Sequence, residues 1–304
     1  MKPQLLFLRH GVRGLFPPPD TPQQSPALPL FNTDKNLALY GHILSHDLGK
    51  SLRPDFIYAD STDERTIATG IAIAKGSGLN KLWLFAEFQE DPVVDPYFEF
   101  IDTPLTPEQL AERQAYLNST QDKALQLKEV AESVFPGLIL SPNSVMDEEG
   151  TLFGLLPQLE SLASVYTFSK YSHIKISEKA KVLQKGYYLG QRASHTLSDL
   201  IINGTKYLQG MIELLKKHKR SIIIGHDTNI TAMSEELKIT YISPDNNSNF
   251  VPPDSGFRFT LHKKYVEVEF AFMNECGELS FQKAAKLPIS QTVSVIPPLI
   301  VKRV

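Results

Sequence analysis

Two short segments of the chain combine histidine with residues that bind anions or transfer protons. Residues 9–13 read RHGVR and residues 225–228 read GHDT, in a chain of 304 residues that contains only eight histidines. A guanidinium offers a planar fork of donors that fits two oxygens of a phosphate or a carboxylate. Imidazole is a competent nucleophile toward phosphorus and is largely neutral near pH 7, because its reference pKa is about 6.5. Alone, the first segment fits a phosphate site and, equally well, two surface arginines beside a buried histidine.

The second segment favours the phosphate site. His226 adds a donor for a bound anion, and the backbone N–H groups that begin the helix expected after it attract negative charge. Asp227 supplies a carboxyl group that could protonate a leaving alkoxide. Arg65, in the first turn of another predicted helix, would add one more positive charge. Three separate junctions between a strand and a helix would then meet at one anion.

Each histidine segment follows an apolar run that is typical of a buried strand. Residues 5–8 precede the first segment and residues 222–224 precede the second. Because ligands of open α/β sheets collect at the carboxyl ends of the strands, we expect both histidines at that edge of one sheet. Residues 55–60 predict a third strand. A capping box with Ser61 at the cap and Glu64 three positions on predicts the helix that follows it.

The remaining pattern predicts an α/β domain that carries a helical insertion. In chain order, we expect a helix with apolar positions over 37–48, mostly helix over 104–133 and 152–216, a helix from 228, and a hairpin of 257–261 with 266–272. These elements indicate a three-layer α/β/α core with a mixed, mainly parallel sheet. We assign residues 1–95 and 180–304 to this core and residues 96–179 to a smaller helical cap.

Prolines are dense between residues 14 and 32, where helix and central strand are both excluded. This segment is expected to be a stiff loop that either overhangs whatever binds near His10 or serves as a surface connector.

Composition and charge exclude several classes of function. The net charge of -3 gives no general field for nucleic acid or for an anionic membrane. No stretch approaches the roughly 18 apolar residues of a membrane helix. A single cysteine, Cys276, excludes an internal disulfide and a zinc site built from cysteines. Any anion site must therefore be local, and the small-molecule partner expected for this chain follows from the resemblance described next. The amino terminus lacks a signal pattern, so we expect a cytoplasmic protein or one from which a signal has been trimmed.

Taken together, these segments resemble the histidine acid phosphatases, branch 2 of the histidine phosphatase superfamily, and within it the bacterial phytases and glucose-1-phosphatases. The matching pieces are RHGVR at 9–13, AD at 59–60 with DERT at 63–66, GHDTN at 225–229 and PPDSG at 252–256. They occur in the family's order and span nearly the whole chain. The resemblance implies a phosphoglycerate-mutase-like fold, acid phosphatase activity on phosphomonoesters, and a periplasmic or secreted location.

The resemblance also implies a role for each matching residue. His10 would be the nucleophile that forms a phosphohistidine, and Asp227 would be the general acid. Since Asp227 must be protonated for this step, an acidic pH optimum is expected. No metal or organic cofactor is implied. The phosphoryl oxygens would be held by Arg9, Arg13, Arg65 and His226, with Thr228 as a possible secondary contact.

Two departures from the family bear on the substrate. Residues 14–16 stand before Pro17, where the family pattern has a single residue before a proline, so we expect a loop entrance of altered shape. Residues 82–112 contain acidic side chains and no lysine or arginine. If this stretch borders the site, it disfavours phytate, which carries many negative charges. The alternatives are phytase or glucose-1-phosphatase specificity and, in another class, a phosphatase-like module that binds a phosphorylated ligand without turnover.

The other histidines are expected to be structural or exposed. His42 and His46 have the i, i+4 spacing of zinc ligands, with Asp47 adjacent, but a solvated helix face is the favoured interpretation. Four further histidines have no metal-ligand spacing and do not adjoin a strand end with cationic neighbours, so we expect them to be structural or exposed: His173, His195, His218 and His262. Trp83 is expected to pack in an apolar strand.

Overall fold

The structure is a computed structural model. It describes residues 2–12, 37–61, 63–85, 100–102, 106–134, 145–146, 152–153, 200–202, 204–242, 251–274, 278–289 and 302–303. Within these residues the helices are α1 (Leu39–Leu52), α2 (Glu64–Ser77), α3 (Pro107–Val134), α4 (Gly204–Lys217) and α5 (Asp227–Glu236). The strands are β1 (Gln4–Arg9), β2 (Phe56–Asp60), β3 (Trp83–Phe85), β4 (Phe100–Asp102), β5 (Val145–Met146), β6 (Leu152–Phe153), β7 (Leu200–Ile202), β8 (Arg220–Gly225), β9 (Gly256–Leu261), β10 (Tyr265–Met273), β11 (Leu279–Pro288) and β12 (Lys302–Arg303).

The chain divides into two compact units. The first comprises Met1–Gly11, His42–Thr103 and Leu200–Val304, and the second comprises Val12–Gly41 and Pro104–Asp199. All side chains of the candidate site described below belong to the first unit. The assignment of a helical cap to residues 96–179 stays a prediction, since most of that range lies outside the described residues.

The first unit is built on an eight-stranded sheet in the order β11-β10-β9-β1-β8-β2-β3-β12. The mixed α/β architecture is therefore confirmed. Three pairings are parallel and join β1, β8, β2 and β3. The other four are antiparallel. Within this mixed sheet the parallel strands form one continuous group, while short connections join β9, β10 and β11, and such connections allow only antiparallel neighbours.

Strands β1 and β8 are buried along nearly their whole length, which explains their unbroken apolar runs. Phe7 of β1 lies in one core cluster with Tyr207 and Met211 of α4 and with Ile230 of α5. On β2, Ala59 is not part of that cluster and lies next to α2, where a Cβ on Gly70 would be 3.4 Å from the Cβ of Ala59. Helices thus cover both faces of the sheet, as the three-layer prediction requires.

Helices α1 and α2 approach each other so closely that glycine is required on both. A Cβ on Gly49 of α1 would lie 2.1 Å from the carbonyl oxygen of Ile73, and a Cβ on Gly76 of α2 would lie 1.9 Å from that of His46. Both distances are far inside van der Waals contact. The reciprocal pair brings the two helix backbones together, and α2 in turn carries Arg65 to the end of β2.

Several local predictions are confirmed and one is wrong. The hairpin is present as β9 and β10, in antiparallel register. Trp83 packs in β3 with its ring 4.6 Å from that of Phe56, centroid to centroid. The range 152–216 was expected to be mostly helix; its described part consists mainly of α4, with the short strands β6 and β7, and the rest of the range lies outside the described residues. The short β7 consists of Leu200 and two β-branched isoleucines, a composition that favours strand.

The wrong prediction concerns the start of α2. The N-cap is Asp63, not Ser61, and the helix begins at Glu64. An Asp63 carboxylate oxygen accepts a hydrogen bond from the backbone N–H of Arg65 at 3.0 Å. This is the bond by which an N-cap side chain satisfies a donor in the first turn of a helix. Arg65 is therefore the second residue of α2, still in its first turn as expected.

Candidate active site

His10 lies immediately after β1, at the carboxyl end of the parallel strands. Its backbone N–H donates to the carbonyl oxygen of Gly225, the last residue of β8, at 2.8 Å. In the register of β1 and β8, Arg9 pairs with Gly225. The two histidine segments therefore leave the sheet side by side, which confirms their predicted position at one edge of one sheet.

The His10 ring has a defined tautomer. Its Nδ1 lies 2.7 Å from the carbonyl oxygen of Gly11. Because a carbonyl oxygen can only accept, Nδ1 must carry the hydrogen, and in the neutral ring Nε2 then holds the lone pair. Burial lowers the pKa of His10 well below its ordinary value, and the charges of Arg65 and Arg9 and the ring of His226 lower it further. The hydrogen bond with the Gly11 carbonyl acts in the opposite direction and raises this pKa. The net lowering of the pKa favours the neutral imidazole, with an unprotonated Nε2.

His226 stands at the N-cap of α5, next to His10. The two ring centroids are 5.3 Å apart and the rings meet edge to face at 70°. The backbone N–H of His226 donates to Oδ1 of Asn229 at 2.8 Å, which fixes the entry into the helix. The N-terminus of α5, with its partial positive charge, therefore begins beside the nucleophile candidate.

Asp60, the last residue of β2, orients the ring of His226. One of its carboxylate oxygens lies 3.3 Å from Nε2 of His226, and Asp60 is completely buried. The Asp60 carbonyl oxygen also accepts from the hydroxyl of Thr66 at 2.6 Å, which ties the end of β2 to α2. The sequence placed Asp60 in a matching motif but gave it no role, because its contact with His226 spans 166 residues of chain.

Arg9 is buried and held at both ends of its guanidinium. Its Nη1 donates to the carbonyl oxygen of Val251 at 2.8 Å. Its Nη2 lies 3.6 Å from a carboxylate oxygen of Asp227, the first residue of α5. The proposed acid and one of the proposed phosphate-binding cations are therefore neighbours, and an anion held by Arg9 would lie within reach of Asp227.

Arg65 supplies the positive charge that most strongly lowers the pKa of His10, after burial itself. Its guanidinium forms an ion pair with Asp63 through Nη2. Its Nε is buried and finds no hydrogen-bond acceptor among the residues that the structure describes. A buried donor of this kind costs free energy unless a ligand or water accepts from it, so Arg65 is suited to hold an oxygen of a bound anion.

The turn at Gly11 is supported from three elements. Its N–H donates to the hydroxyl of Thr69 on α2 at 2.9 Å. On the other side, the backbone N–H of Asp254 donates to the carbonyl oxygen of His10 at 3.3 Å. The Asp254 carboxyl in turn accepts from the hydroxyl of Ser45 on α1 at 3.0 Å. Sequence reasoning did not single out Thr69, Asp254 or Ser45, although Asp254 lies within the PPDSG motif.

Most of the predicted site residues are thus brought together at the end of β1, β2 and β8. Thr228 lies one residue beyond Asp227 in the first turn of α5. Arg13 lies outside the described residues. The residues brought together are Arg9, His10, Arg65, His226 and Asp227. Their individual roles stay predictions, while their convergence is a property of the fold.

The zinc-like spacing on α1 is not part of any metal cluster in the described chain. No group of three or more histidine, cysteine, aspartate or glutamate side chains among the described residues is placed to hold a metal ion. His46 Nδ1 lies 3.6 Å from a carboxylate oxygen of Asp47. Burial and the charge of Lys75 lower the pKa of His42.

Among the described helices, none has the length and apolar character needed to cross a membrane.

Three solved structures to which this chain is similar in fold are phytases. A phytase from Hafnia alvei in complex with tartrate matches with a TM-score of 0.58 and 16% identity over 97% of each chain. A phytase from Klebsiella sp. ASR1 matches with a TM-score of 0.55 and 16% identity over 90% of this chain and 82% of that one. A phytase from Citrobacter braakii matches with a TM-score of 0.52 and 19% identity over 90% and 86%.

These likenesses establish the fold. They confirm, at that level, the resemblance drawn from the motifs and the expectation of a phosphoglycerate-mutase-like α/β architecture. No family model matches the sequence, and no curated protein matches it. At identities of 16–19% the chemistry has to be argued from the side chains themselves.

Proposed function

We propose that the chain is a phosphatase that hydrolyses phosphomonoesters through a phosphohistidine at His10. The observation that carries this proposal is the state of that imidazole. It is buried and neutral, its Nδ1–H is bound to Gly11, and its Nε2 holds a lone pair among positively charged side chains. A structural histidine gains nothing from such surroundings, whereas a nucleophile toward an anionic phosphorus needs them.

The first half of the reaction transfers the phosphoryl group to the enzyme. Nε2 of His10 forms a bond to phosphorus while the bond from phosphorus to the ester oxygen breaks. The electron pair of that bond stays on the leaving oxygen, which takes a proton from the Asp227 carboxyl. The second half is the reverse with water. A water oxygen attacks phosphorus, its proton passes to the Asp227 carboxylate, and the N–P bond breaks to regenerate His10.

The cations stabilise the charge that is spread over the transferring group. Arg9 and Arg65 offer guanidinium donors and His226 offers a third group, all preorganised by contacts within the protein. Charge stabilisation by fixed donors is typically the largest contribution to phosphoryl transfer, since the protein does not have to reorganise during the reaction. Arg13 and Thr228 are proposed to assist at the same oxygens.

Asp227 is proposed to act as acid and then as base at the leaving group. A carboxylate oxygen of Asp227 lies 3.6 Å from Nη2 of Arg9, one of the proposed phosphate-binding cations, which supports this role. Because the first half of the reaction consumes its proton, turnover is expected to be fastest under acidic conditions. A site that only bound phosphate would not need a carboxyl group next to the anion, because the ionised carboxylate would repel the phosphate.

The substrate is proposed to be a small phosphomonoester, with phytase or glucose-1-phosphatase specificity as the narrower alternative. Phytases share the fold. The acidic stretch over 82–112 works against a substrate as highly charged as phytate if it borders the site. A panel of phosphomonoesters that includes phytate, glucose 1-phosphate and simple alkyl phosphates, assayed across acidic pH, distinguishes these specificities.

The direct test is hydrolysis of p-nitrophenyl phosphate at about pH 5 by the wild type and by His10→Ala. The proposal expects turnover in the wild type and a loss of at least about a thousandfold in the variant. His46→Ala is the matched control, because His46 lies on the partly exposed face of α1 and is expected to leave turnover unchanged. Equal turnover in His10→Ala and wild type would contradict the proposal. Tight binding of phosphate by calorimetry with no turnover would support the non-catalytic module instead.

A further inference from the structure

A buried carboxyl group lies directly behind the His10–Gly11 turn and has no part in the mechanism above. Asp254 is completely buried, in the loop that leads into β9. A Cβ built on Gly11 would lie 3.3 Å from its Oδ2 and 3.5 Å from its Oδ1. The carboxyl therefore faces the backbone of Gly11, whose carbonyl oxygen holds Nδ1 of His10.

The contacts of Asp254 are asymmetric. Its Oδ1 accepts the hydrogen bond from Ser45, and its backbone N–H donates to the His10 carbonyl. Its Oδ2 is buried and has no hydrogen-bond partner among the described residues. The backbone of Asp254 is left-handed, with φ of 53°, a conformation that aspartate and asparagine tolerate better than most residues. The side chain is thus fixed in place by its backbone and by one hydroxyl.

The surroundings favour the neutral form of this carboxyl. Burial raises the pKa of Asp254 to about 7, and the hydrogen bond from Ser45 opposes that rise. Among the described residues, an ionised carboxylate at this position has one hydrogen bond, from Ser45, to replace its hydration.

The charged and titratable neighbours lie at the end of β1. The element α1 presents the uncharged Ser45 to the carboxyl, and the loop over 251–256 holds no other titratable residue. The end of β1 presents Gly11, with His10 and Arg9 next in sequence. Since the pKa of His10 is lowered well below its ordinary value, a titration of this turn near neutral pH belongs to Asp254 and not to His10.

We propose that Asp254 is a positioning residue for the phosphate site: its neutral carboxyl supports the His10–Gly11 turn, and its ionisation places a negative charge behind that turn and weakens anion binding. This inference rests on the proposed function for its biological meaning. It assigns the upper pH limit of anion binding to Asp254, whereas the proton on Asp227 governs the leaving group. Ser45 lowers that limit, because its hydroxyl stabilises the ionised form.

Sulfate is a suitable probe because it keeps two negative charges across the relevant range, so its own titration does not enter. Its affinity is measured by calorimetry from about pH 5 to about pH 8 for the full chain and for Asp254→Asn. Asparagine keeps the shape of the side chain and the tolerance for positive φ, and it cannot ionise. Ser255→Ala is the matched control, since Ser255 is the next residue, is equally buried, and its hydroxyl contacts Pro253 and not the carboxyl.

The wild type and Ser255→Ala are expected to lose about three- to tenfold more affinity for sulfate over this range than Asp254→Asn loses. Titration of any group that the three proteins share affects all three alike and cancels in the comparison. Ser45→Ala, a second variant that does not alter Asp254, is expected to move the midpoint of the wild-type loss to higher pH. These two results would support the inference together.

The same pH dependence in Asp254→Asn and wild type would overturn the inference, as would a Ser45→Ala midpoint that moves to lower pH. If Asp254→Asn fails to fold, the midpoint in Ser45→Ala decides alone. Failure of the proposed function has a different signature: sulfate binding would show the Asp254-dependent pH profile while p-nitrophenyl phosphate is not turned over.

Discussion

Nδ1 of His10 lies 2.7 Å from the carbonyl oxygen of Gly11, the residue that follows it in the chain. The nucleophile candidate is therefore oriented by its own backbone. A glycine at this position also lets α1 and the Asp254 loop pack against the turn, because a Cβ there would be 2.6 Å from the Ser45 hydroxyl. The tautomer of the imidazole and the close packing of the turn thus depend on the same residue.

This relationship predicts the protonation of His10 directly. In nitrogen NMR spectra, Nδ1 of His10 should carry the hydrogen, and Nε2 should stay unprotonated to a pH well below the ordinary pKa of histidine. The cause is burial first and the nearby Arg65 and Arg9 second. A spectrum with the hydrogen on Nε2 of the neutral ring would be incompatible with nucleophilic attack from that atom.

Replacing Arg65 should change both the pKa of His10 and anion binding. Arg65→Ala removes the largest charge contribution to the lowered pKa, so the pKa of His10 should rise. The affinity for inorganic phosphate should fall by at least about tenfold, because a charge-assisted donor is lost. Lys75→Ala is the matched control on the same helix. It should raise the pKa of His42, which Lys75 lowers, and leave that of His10 unchanged. The same His10 pKa in all three proteins would show that Arg65 does not act on the nucleophile.

Asp227→Asn should discriminate between leaving groups. Esters of ordinary alcohols, such as sugar phosphates, need protonation of the leaving oxygen and should slow by about a hundredfold or more. p-Nitrophenyl phosphate, whose leaving group departs with little protonation, should slow far less. The measurement is kcat/KM for both substrates in wild type and variant. Equal losses on the two esters would argue that Asp227 only positions Arg9.

Asp254 should make the stability of the protein fall as pH rises. The pKa of its carboxyl is about 7 in the folded chain, against an ordinary value of 3.8 for an exposed aspartate. The proton on Asp254 stabilises the folded chain fully at pH values below the ordinary pKa, which applies to the unfolded chain. This stabilisation is lost as the pH rises through the raised pKa of the folded chain. Relative to Asp254→Asn, the wild type should lose up to about 4 kcal/mol in the free energy of unfolding between these limits. Chemical denaturation at several pH values measures this, and parallel pH profiles would contradict the raised pKa.

The strands that hold the two histidine segments could be predicted from sequence because they are buried on both faces. Their unbroken apolar runs end where the polar segments begin, so the position of His10 and His226 at one edge followed from β1 and β8 alone. The hairpin of β9 and β10 could be predicted for a related reason, its alternation of apolar and polar residues. The start of α2 could not be fixed, since Ser61 and Asp63 both qualify as caps and only geometry decides between them.

The support of the site could not be predicted, because it consists of single contacts between distant parts of the chain. Ser45 and Asp254 are separated by 209 residues, and Asp60 and His226 by 166. Neither pair has a periodicity or spacing that a sequence pattern could reveal. Strand β11 was missed for a different reason: its residues include QKAAK, which lacks the alternation of a half-buried strand.

The most direct test of the central claim is to trap the phosphoryl group on His10. The enzyme is mixed rapidly with p-nitrophenyl phosphate, the reaction is stopped in alkali, in which phosphohistidine survives, and the peptides are mapped by mass spectrometry. We predict a phosphoryl group on the peptide that contains His10, at Nε2, accompanied by a burst of nitrophenolate that is absent in His10→Ala. A phosphoryl group mapped to a different residue, or a burst of equal size in His10→Ala, would contradict the account.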